Sequence, residues 1–235
     1  MTRAVGEFQG LQEKVVLVAG ATGGLGVAVT AAFAAVGAKV VALGRTPYSG
    51  AAKVQSIVAD LGDETAAEQA VAEVVKRYGR IDVLASLVGG FTMGEPIATM
   101  TTETWRRMMA LNLDLNFFLC RAAVRQMLTQ GAGRIITVGS RSALQPQPSA
   151  AAYAVSKAAL VAFTQNLAAE VLDAGITVNA ILPSIIDTPA NRRAMPAADF
   201  TRWPSPAELA AVLLFLAGPD AAIISGAAIP VYGRA

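Results

Sequence analysis

Three observations predict an α/β fold, a single doubly wound domain on a mostly parallel seven-stranded sheet with helices on both faces. Short β-branched runs alternate with longer runs of helical period, the first apolar run ends in a glycine cluster that opens a helix, and no linker, repeat or low-complexity tract divides the 235 residues. Parallel neighbours need a crossover of about a dozen residues, which the alternating helices supply. Residues 1–235 therefore read as one domain, long enough to bury a sizeable core.

Lys14 to Ala19 is a continuous apolar run of strand length, and Val27, Ala31, Phe33 and Ala34 carry the helical pattern beyond it. Between them lies Gly20-Ala21-Thr22-Gly23-Gly24-Leu25-Gly26. Strand, glycine turn and helix are the parts of a dinucleotide site of the Rossmann kind. Glycines allow the tight turn and the approach of backbone to a pyrophosphate, and the helix amino terminus receives its charge. Further strands fall at Lys39 to Leu43, Val54 to Ala59, Val83 to Val88, Arg134 to Val138, Thr177 to Leu182 and Ala228 to Val231. Helices are expected at Glu64 to Tyr78, Thr102 to Thr129, Ala150 to Leu172 and Pro206 to Ala217, the last capped by Ser205. Only Thr46 to Lys53 joins the second and third strands, and its proline, glycine and serine favour a loop over a crossover helix.

Hydrophobic residues make up 54% of the chain, yet its wholly apolar runs fall well short of the ~18 residues of a spanning helix, so the reading is core and not membrane. The opening Met1 to Glu7 lacks an apolar signal core and the sole cysteine, Cys120, has no internal disulfide partner, which together suit a cytoplasmic protein. A net charge of +2 without a basic cluster gives no reason to invoke nucleic acid. The chain contains no histidine, which excludes a histidine base and a histidine-ligated metal, and with them most hydrolase mechanisms.

Tyr153 and Lys157 stand four positions apart in a helical run, which places a phenol and an ammonium on one helical face. A cation beside a phenol favours the phenolate, so the lysine is expected to lower the tyrosine pKa and make Tyr153 a proton-transfer group. Gly20-x-x-x-Gly24-x-Gly26, Asp60 after the third strand, Asn112 in a long helix, Ser140 after the fifth strand, and Tyr153 with Lys157 together resemble the short-chain dehydrogenase/reductase family. The similarity runs on through Val178-Asn-Ala-Ile-Leu-Pro183 and Ser225-Gly-Ala-Ala-Ile-Pro-Val231, and Ser140 precedes Tyr153 by thirteen positions as that family's serine does. Ser142, eleven positions before the tyrosine, does not fit.

The resemblance implies that Tyr153 is general acid for carbonyl reduction and general base for alcohol oxidation, with Ser140 holding the substrate oxygen. It further implies that Lys157 bonds the nicotinamide ribose and that Asn112 holds a water linking the lysine to solvent. Asp60 with Leu61 resembles the adenine-contacting pair, although Asp60 also reads as a helix cap before Glu64. Backbone contacts carry over at Leu87, Val88 and Gly89, while Pro183, Ile186 and Thr188 match cofactor-contacting positions. Cofactor choice turns on Leu43-Gly44-Arg45, where an acid would receive NAD ribose hydroxyls. Gly44 stands there instead, and Arg45 either pairs with a 2′-phosphate or is a solvated surface arginine; NADP(H) is the preferred reading and NAD(H) the other.

Three departures stand out: Ala19 replaces a threonine, Ser86-Leu-Val-Gly89 replaces Asn-Asn-Ala-Gly, and Pro183-Ser184 replaces proline-glycine. A variable lid over Asp187 to Pro204 contains Arg192, Arg193, Met195, Phe200 and Trp203, and its arginines read as anion-greeting or as solvated loop charge. Phe91, Met93, Leu144 and Gln145 read as cleft lining or as packing. The expected activity is hydride transfer between a nicotinamide cofactor and a ketone or secondary alcohol, with a 3-oxoacyl thioester as one candidate. Two other readings are a dinucleotide-binding sensor or assembly protein without turnover, and a lyase or epimerase drawing on Asp114 or Asp187. The long helices around Asn112 and Tyr153 resemble family assembly surfaces, which implies a homotetramer or homodimer.

Overall fold

The computed structural model describes residues 10–235, so the reading made on Met1 to Glu7 lies outside the described residues. Seven strands run in the order β3-β2-β1-β4-β5-β6-β7. They are β1 (Val15–Ala19), β2 (Lys39–Gly44), β3 (Gln55–Val58), β4 (Val83–Ser86), β5 (Gly133–Val138), β6 (Ile176–Pro183) and β7 (Ala228–Val231), and all six pairings are parallel. The principal helices are α1 (Gly26–Ala35), α2 (Glu64–Tyr78), α3 (Thr102–Met109), α4 (Leu115–Gln130), α5 (Ala151–Glu170), α6 (Pro189–Ala194) and α7 (Pro206–Ala217).

Alternation along β1 splits the core between two faces. Val15, Leu17 and Ala19 pack with α2, α4 and α5 on one side, and Val16 and Val18 pack with α1 and α7 on the other. A strand buried on both faces has to be apolar throughout, as β1 is. Strand order reverses between β1 and β4, which opens a crevice outside the carboxyl ends of these two strands.

Local chemistry sets the element ends. Asp63, and not Asp60, caps α2 by accepting from Thr65 N at 2.9 Å, and Gly79 ends that helix at φ 75°. Ser205 caps α7 as expected, in a reciprocal capping box with Glu208. The β2–β3 connection is a loop folded around Tyr48, whose N–H donates to Ser56 Oγ and whose hydroxyl accepts from Ala51 N. Tyr48 packs against the α1/α7 core, so its ring gives this short connection an apolar anchor of its own.

The helix expected over Thr102 to Thr129 is divided. A π-helical turn, Ala110–Asp114, separates α3 from α4 and carries Asn112. Leu87 and Val88, read as strand, leave the sheet after Ser86, where the β4–β5 pairing ends. The lid contains a single regular helix, α6, capped by Thr188.

Gly26 shows how tightly the first crossover is closed, since a Cβ there would run into Gly20 O and come within 2.8 Å of Ala21 Cα. Gly26→Ala is expected to lower the unfolding free energy by about 1–3 kcal/mol. Gly23→Ala, whose Cβ meets only Gly20 O at 3.3 Å, should lose clearly less. Urea unfolding of the pair checks this, and equal midpoints would contradict the packing.

Candidate active site

Glycines trace the site because each lets one strand end approach another. Gly20 turns off β1 at φ 79°, and a Cβ on it would lie 3.1 Å from the Leu87 carbonyl group after β4. A Cβ on Gly24 would lie 2.9 Å from Thr188 Cγ2, beyond β6, and one on Gly44 would lie 3.4 Å from Thr22 Oγ1. Four strand ends thus meet around the predicted glycine turn. Helix α1 opens from that turn with no side-chain cap and no acid in its first turn, which leaves the positive end of its dipole open to an anion. A backbone cradle of this kind fits the diphosphate of a dinucleotide.

The second half of the site is built from β4, β5, α5 and the π turn. Lys157 is only 5% exposed and donates from Nζ to Val138 O at 2.7 Å. A Cβ on Gly89 would come within 3.0 Å of that nitrogen and 2.6 Å of Asn112 Oδ1, so the loop after β4 runs directly beside both groups. Asn112 is fully buried, and its Oδ1 accepts from Gly90 N at 2.9 Å. Its Nδ2 donates to Gly90 O and to Ser156 Oγ, each at 3.0 Å. The side-chain amide is therefore engaged within the protein. Ser140 Oγ accepts from Ser142 N at 3.1 Å in the short turn after β5.

Burial, and not the lysine, governs the tyrosine. It pushes the Tyr153 phenol above its ordinary value, against the pull of the neighbouring Ser140 hydroxyl. Lys157 is itself brought down to about 8 by burial. The expected lowering of the tyrosine by the lysine is thus reversed in the protein alone, because desolvation penalises both charged forms. A phenol held protonated is suited to giving up a proton.

Other expectations resolve residue by residue. Asp60 is exposed and accepts from Gly62 N in its own turn, while Leu61 is buried in the core, so neither is joined to the glycine turn by a side-chain contact. Arg45 is exposed at the end of β2, with no acid in the preceding Leu43-Gly44. Arg192 forms a double bond pair with Asp187 at 2.5 and 2.7 Å and stacks over Phe200, which leaves it neutralised as an anion receptor and Asp187 held below the usual carboxylate range. Asp114 is exposed. Phe91 meets the Tyr153 ring edge-on at 4.9 Å and is itself well exposed, as are Met93 and Leu144. Pro183 pairs with Val231, and Ile186 packs on the α1/α7 core while its carbonyl accepts from Asn191 Nδ2. Sequence reasoning missed Asn116 and Ser156, whose only signals are the Asn112-x-x-x-Asn116 repeat inside an apolar run and a serine directly before Lys157.

Lys157 carries a stability signature. Between pH 8 and 10.5 the unfolded chain binds a proton that the folded chain has released, so this group makes stability rise with pH across that window. Lys157→Met should therefore stabilise the fold at pH 7 by up to about 3 kcal/mol, the gain vanishing towards pH 10.5. Denaturant midpoints against pH test this, and a gain that does not depend on pH would contradict it.

The family profile described as short chain dehydrogenase matches residues 14–199. The 2-(R)-hydroxypropyl-CoM dehydrogenase of Xanthobacter autotrophicus is 32% identical, with 94% of this chain and 97% of the relative covered. A 3-oxoacyl-[acyl-carrier-protein] reductase of Synechocystis is 35% identical, with 95% and 97% covered. Among solved structures, the 3-ketoacyl-(acyl-carrier-protein) reductase of Brucella melitensis complexed with NADH superposes with a TM-score of 0.86 at 28% identity, over 95% of this chain and 99% of that one. With a family profile matched over most of its length and relatives above 30% identity covered almost end to end, the chain belongs to the short-chain dehydrogenase/reductase family of oxidoreductases.

Proposed function

We propose that this oxidoreductase reduces a ketone to a secondary alcohol, with NADP(H) preferred over NAD(H), and that a 3-oxoacyl thioester is the leading substrate class. The observation that carries the reading is Lys157, buried, bonded to Val138 O, beside Gly89 and one helical turn from Tyr153. When bound, the nicotinamide supplies a hydride to the carbonyl carbon, and the chain must supply a proton to the oxygen. Tyr153 is the proton donor, Ser140 orients the substrate oxygen, and Lys157 stabilises the phenolate left behind. Gly20, Thr22, Gly23, Gly24, Leu25 and Gly26 would hold the diphosphate, Val88 and Gly89 the nicotinamide ribose side, and Pro183, Ile186 and Thr188 the carboxamide end and the adjoining diphosphate. Asp60 and Leu61 would border the adenine.

Support for the substrate class comes from several curated relatives named as 3-oxoacyl-[acyl-carrier-protein] reductases, at 32–35% identity. The exposed apolar side chains of Phe91, Met93 and Leu144 suit an acyl chain, while the pairing of Arg192 with Asp187 removes one anion receptor from the lid. Tyr153 and Lys157 also weigh against a pure binding protein, which needs no proton path. Among the described residues no helix is long and apolar enough to cross a membrane. Exposed Phe117 on α4 and Val155 on α5 fit assembly as a homodimer or homotetramer.

With NADPH and acetoacetyl-coenzyme A, absorbance at the nicotinamide band should fall, and Tyr153→Phe should lower turnover by ~10²–10⁴ while nucleotide affinity stays within about twofold. Undiminished turnover in that variant would reject the site assignment. Arg45→Ala should raise the Kd for NADPH by about tenfold or more and leave NADH nearly unchanged, as a lost charge-assisted bond to phosphate requires. Titration calorimetry with both nucleotides decides it, since equal losses exclude a phosphate contact.

A further inference from the structure

Four polar side chains, Ser86, Asn112, Asn116 and Ser156, are fully buried in one place, and every link between them is closed. Ser86 Oγ, on the last residue of β4, donates to Asn116 Oδ1 at 2.7 Å. Asn116 Nδ2, on α4, reaches back one turn and donates to the main-chain carbonyl of Asn112 at 2.9 Å, with Val88 O at 3.5 Å on its other side. Asn112 in turn clamps both the N–H and the carbonyl of Gly90 and donates to Ser156 Oγ, which donates to Tyr153 O at 2.8 Å. The path runs from the sheet, through the π turn, to the backbone of the proton donor.

We propose that Asn116 is a positioning residue for the reaction, holding Asn112 and through it the Gly89–Gly90 segment and the first turn of α5. The claim rests on the catalytic reading of Tyr153 and Lys157. A π turn is a locally loosened stretch of helix, and an amide drawn from the next turn is what fixes its carbonyl in one place. Asn116 touches no reacting atom, so its contribution lies in geometry. A loop that has lost its tether misplaces the groups beside it by a fraction of an ångström, enough to slow a reaction that depends on alignment.

The test separates positioning from mere satisfaction of a buried hydroxyl. Asn116→Leu leaves Ser86 Oγ without an acceptor and should lower both stability and turnover. In the double variant Ser86→Ala/Asn116→Leu the orphaned hydroxyl is gone, so the unfolding midpoint should return close to that of the parent, whereas the tie to Asn112 stays broken. That double variant is expected to keep at least a tenfold lower kcat and to show faster hydrogen–deuterium exchange at Gly90. Ser86→Ala alone, which keeps the Asn116 tie to Asn112, should remain within about threefold of the parent in kcat, and it serves should the double variant not fold. Parental kcat or parental Gly90 exchange in the double variant overturns the proposal, as does a tenfold loss in Ser86→Ala. Should the parent reduce no ketone, the proposed function fails by itself, and Gly90 exchange alone then decides whether Asn116 holds the loop.

Discussion

A primary amine almost wholly removed from water must find its hydrogen bonds inside the protein, and Lys157 finds one at Val138 O, 2.7 Å away on the last residue of β5. Together with the buried Thr137–Thr164 hydroxyl pair, that bond ties α5 to β5. Tyr153, one turn earlier, is carried to the same level, and Ser140 follows β5 by two residues, so three side chains from two elements share one edge. Burial makes the amine weakly basic and keeps the phenol protonated. Neither charge is stable there unaided, so a phenolate formed when Tyr153 gives up its proton depends on the positive charge one helical turn away.

The other half of the site is made of backbone. Parallel strands deliver their carboxyl ends to one side, and the reversal of order between β1 and β4 leaves a gap there that no crossover covers. Glycine at positions 20, 24 and 89 lets the loops close on one another until a methyl group would not fit. Gly89 ties the two halves together, because its missing side chain is the space in which Asn112 Oδ1 and Lys157 Nζ approach the loop. A residue there with a Cβ would push the loop off the very groups that define the catalytic edge.

Strand number, helix placement and the glycine turn were legible because each is a local pattern with a fixed period or a fixed conformational demand. The π turn was not, since the run from Thr102 to Thr129 keeps its helical character through Asn112 and one added residue per turn leaves no mark in composition. Capping was legible at Ser205, where proline and glutamate follow at the right places, and left open at Asp60, whose alternative reading as a cap gives way to Asp63 because both precede Glu64 and only the fold selects between them. The tyrosine's pKa was misjudged for a related reason. Spacing shows that a lysine is near, but the depth of both groups is a property of the whole packed structure. Pairing of Arg192 with Asp187 is likewise a choice made by the folded lid.

The departures from the family pattern show how such a site absorbs change. Ala19 has no hydroxyl with which to tie the turn, yet its carbonyl accepts from Leu87 N at 2.9 Å, so the link between the β1 and β4 ends is made by main chain. Ser184 stands where relatives have glycine. Among the described residues the only non-glycine positions at positive φ are Glu13, Lys53 and Ser149, so Ser184 occupies ordinary backbone and donates its hydroxyl to Tyr232 O at 2.7 Å. Ser86 keeps a hydroxyl at the end of β4 and donates it to Asn116 Oδ1 of α4 at 2.7 Å. A buried loop end cannot be left without hydrogen bonds, and at these three positions main chain, the residue's own hydroxyl and an amide on the neighbouring helix take part in them.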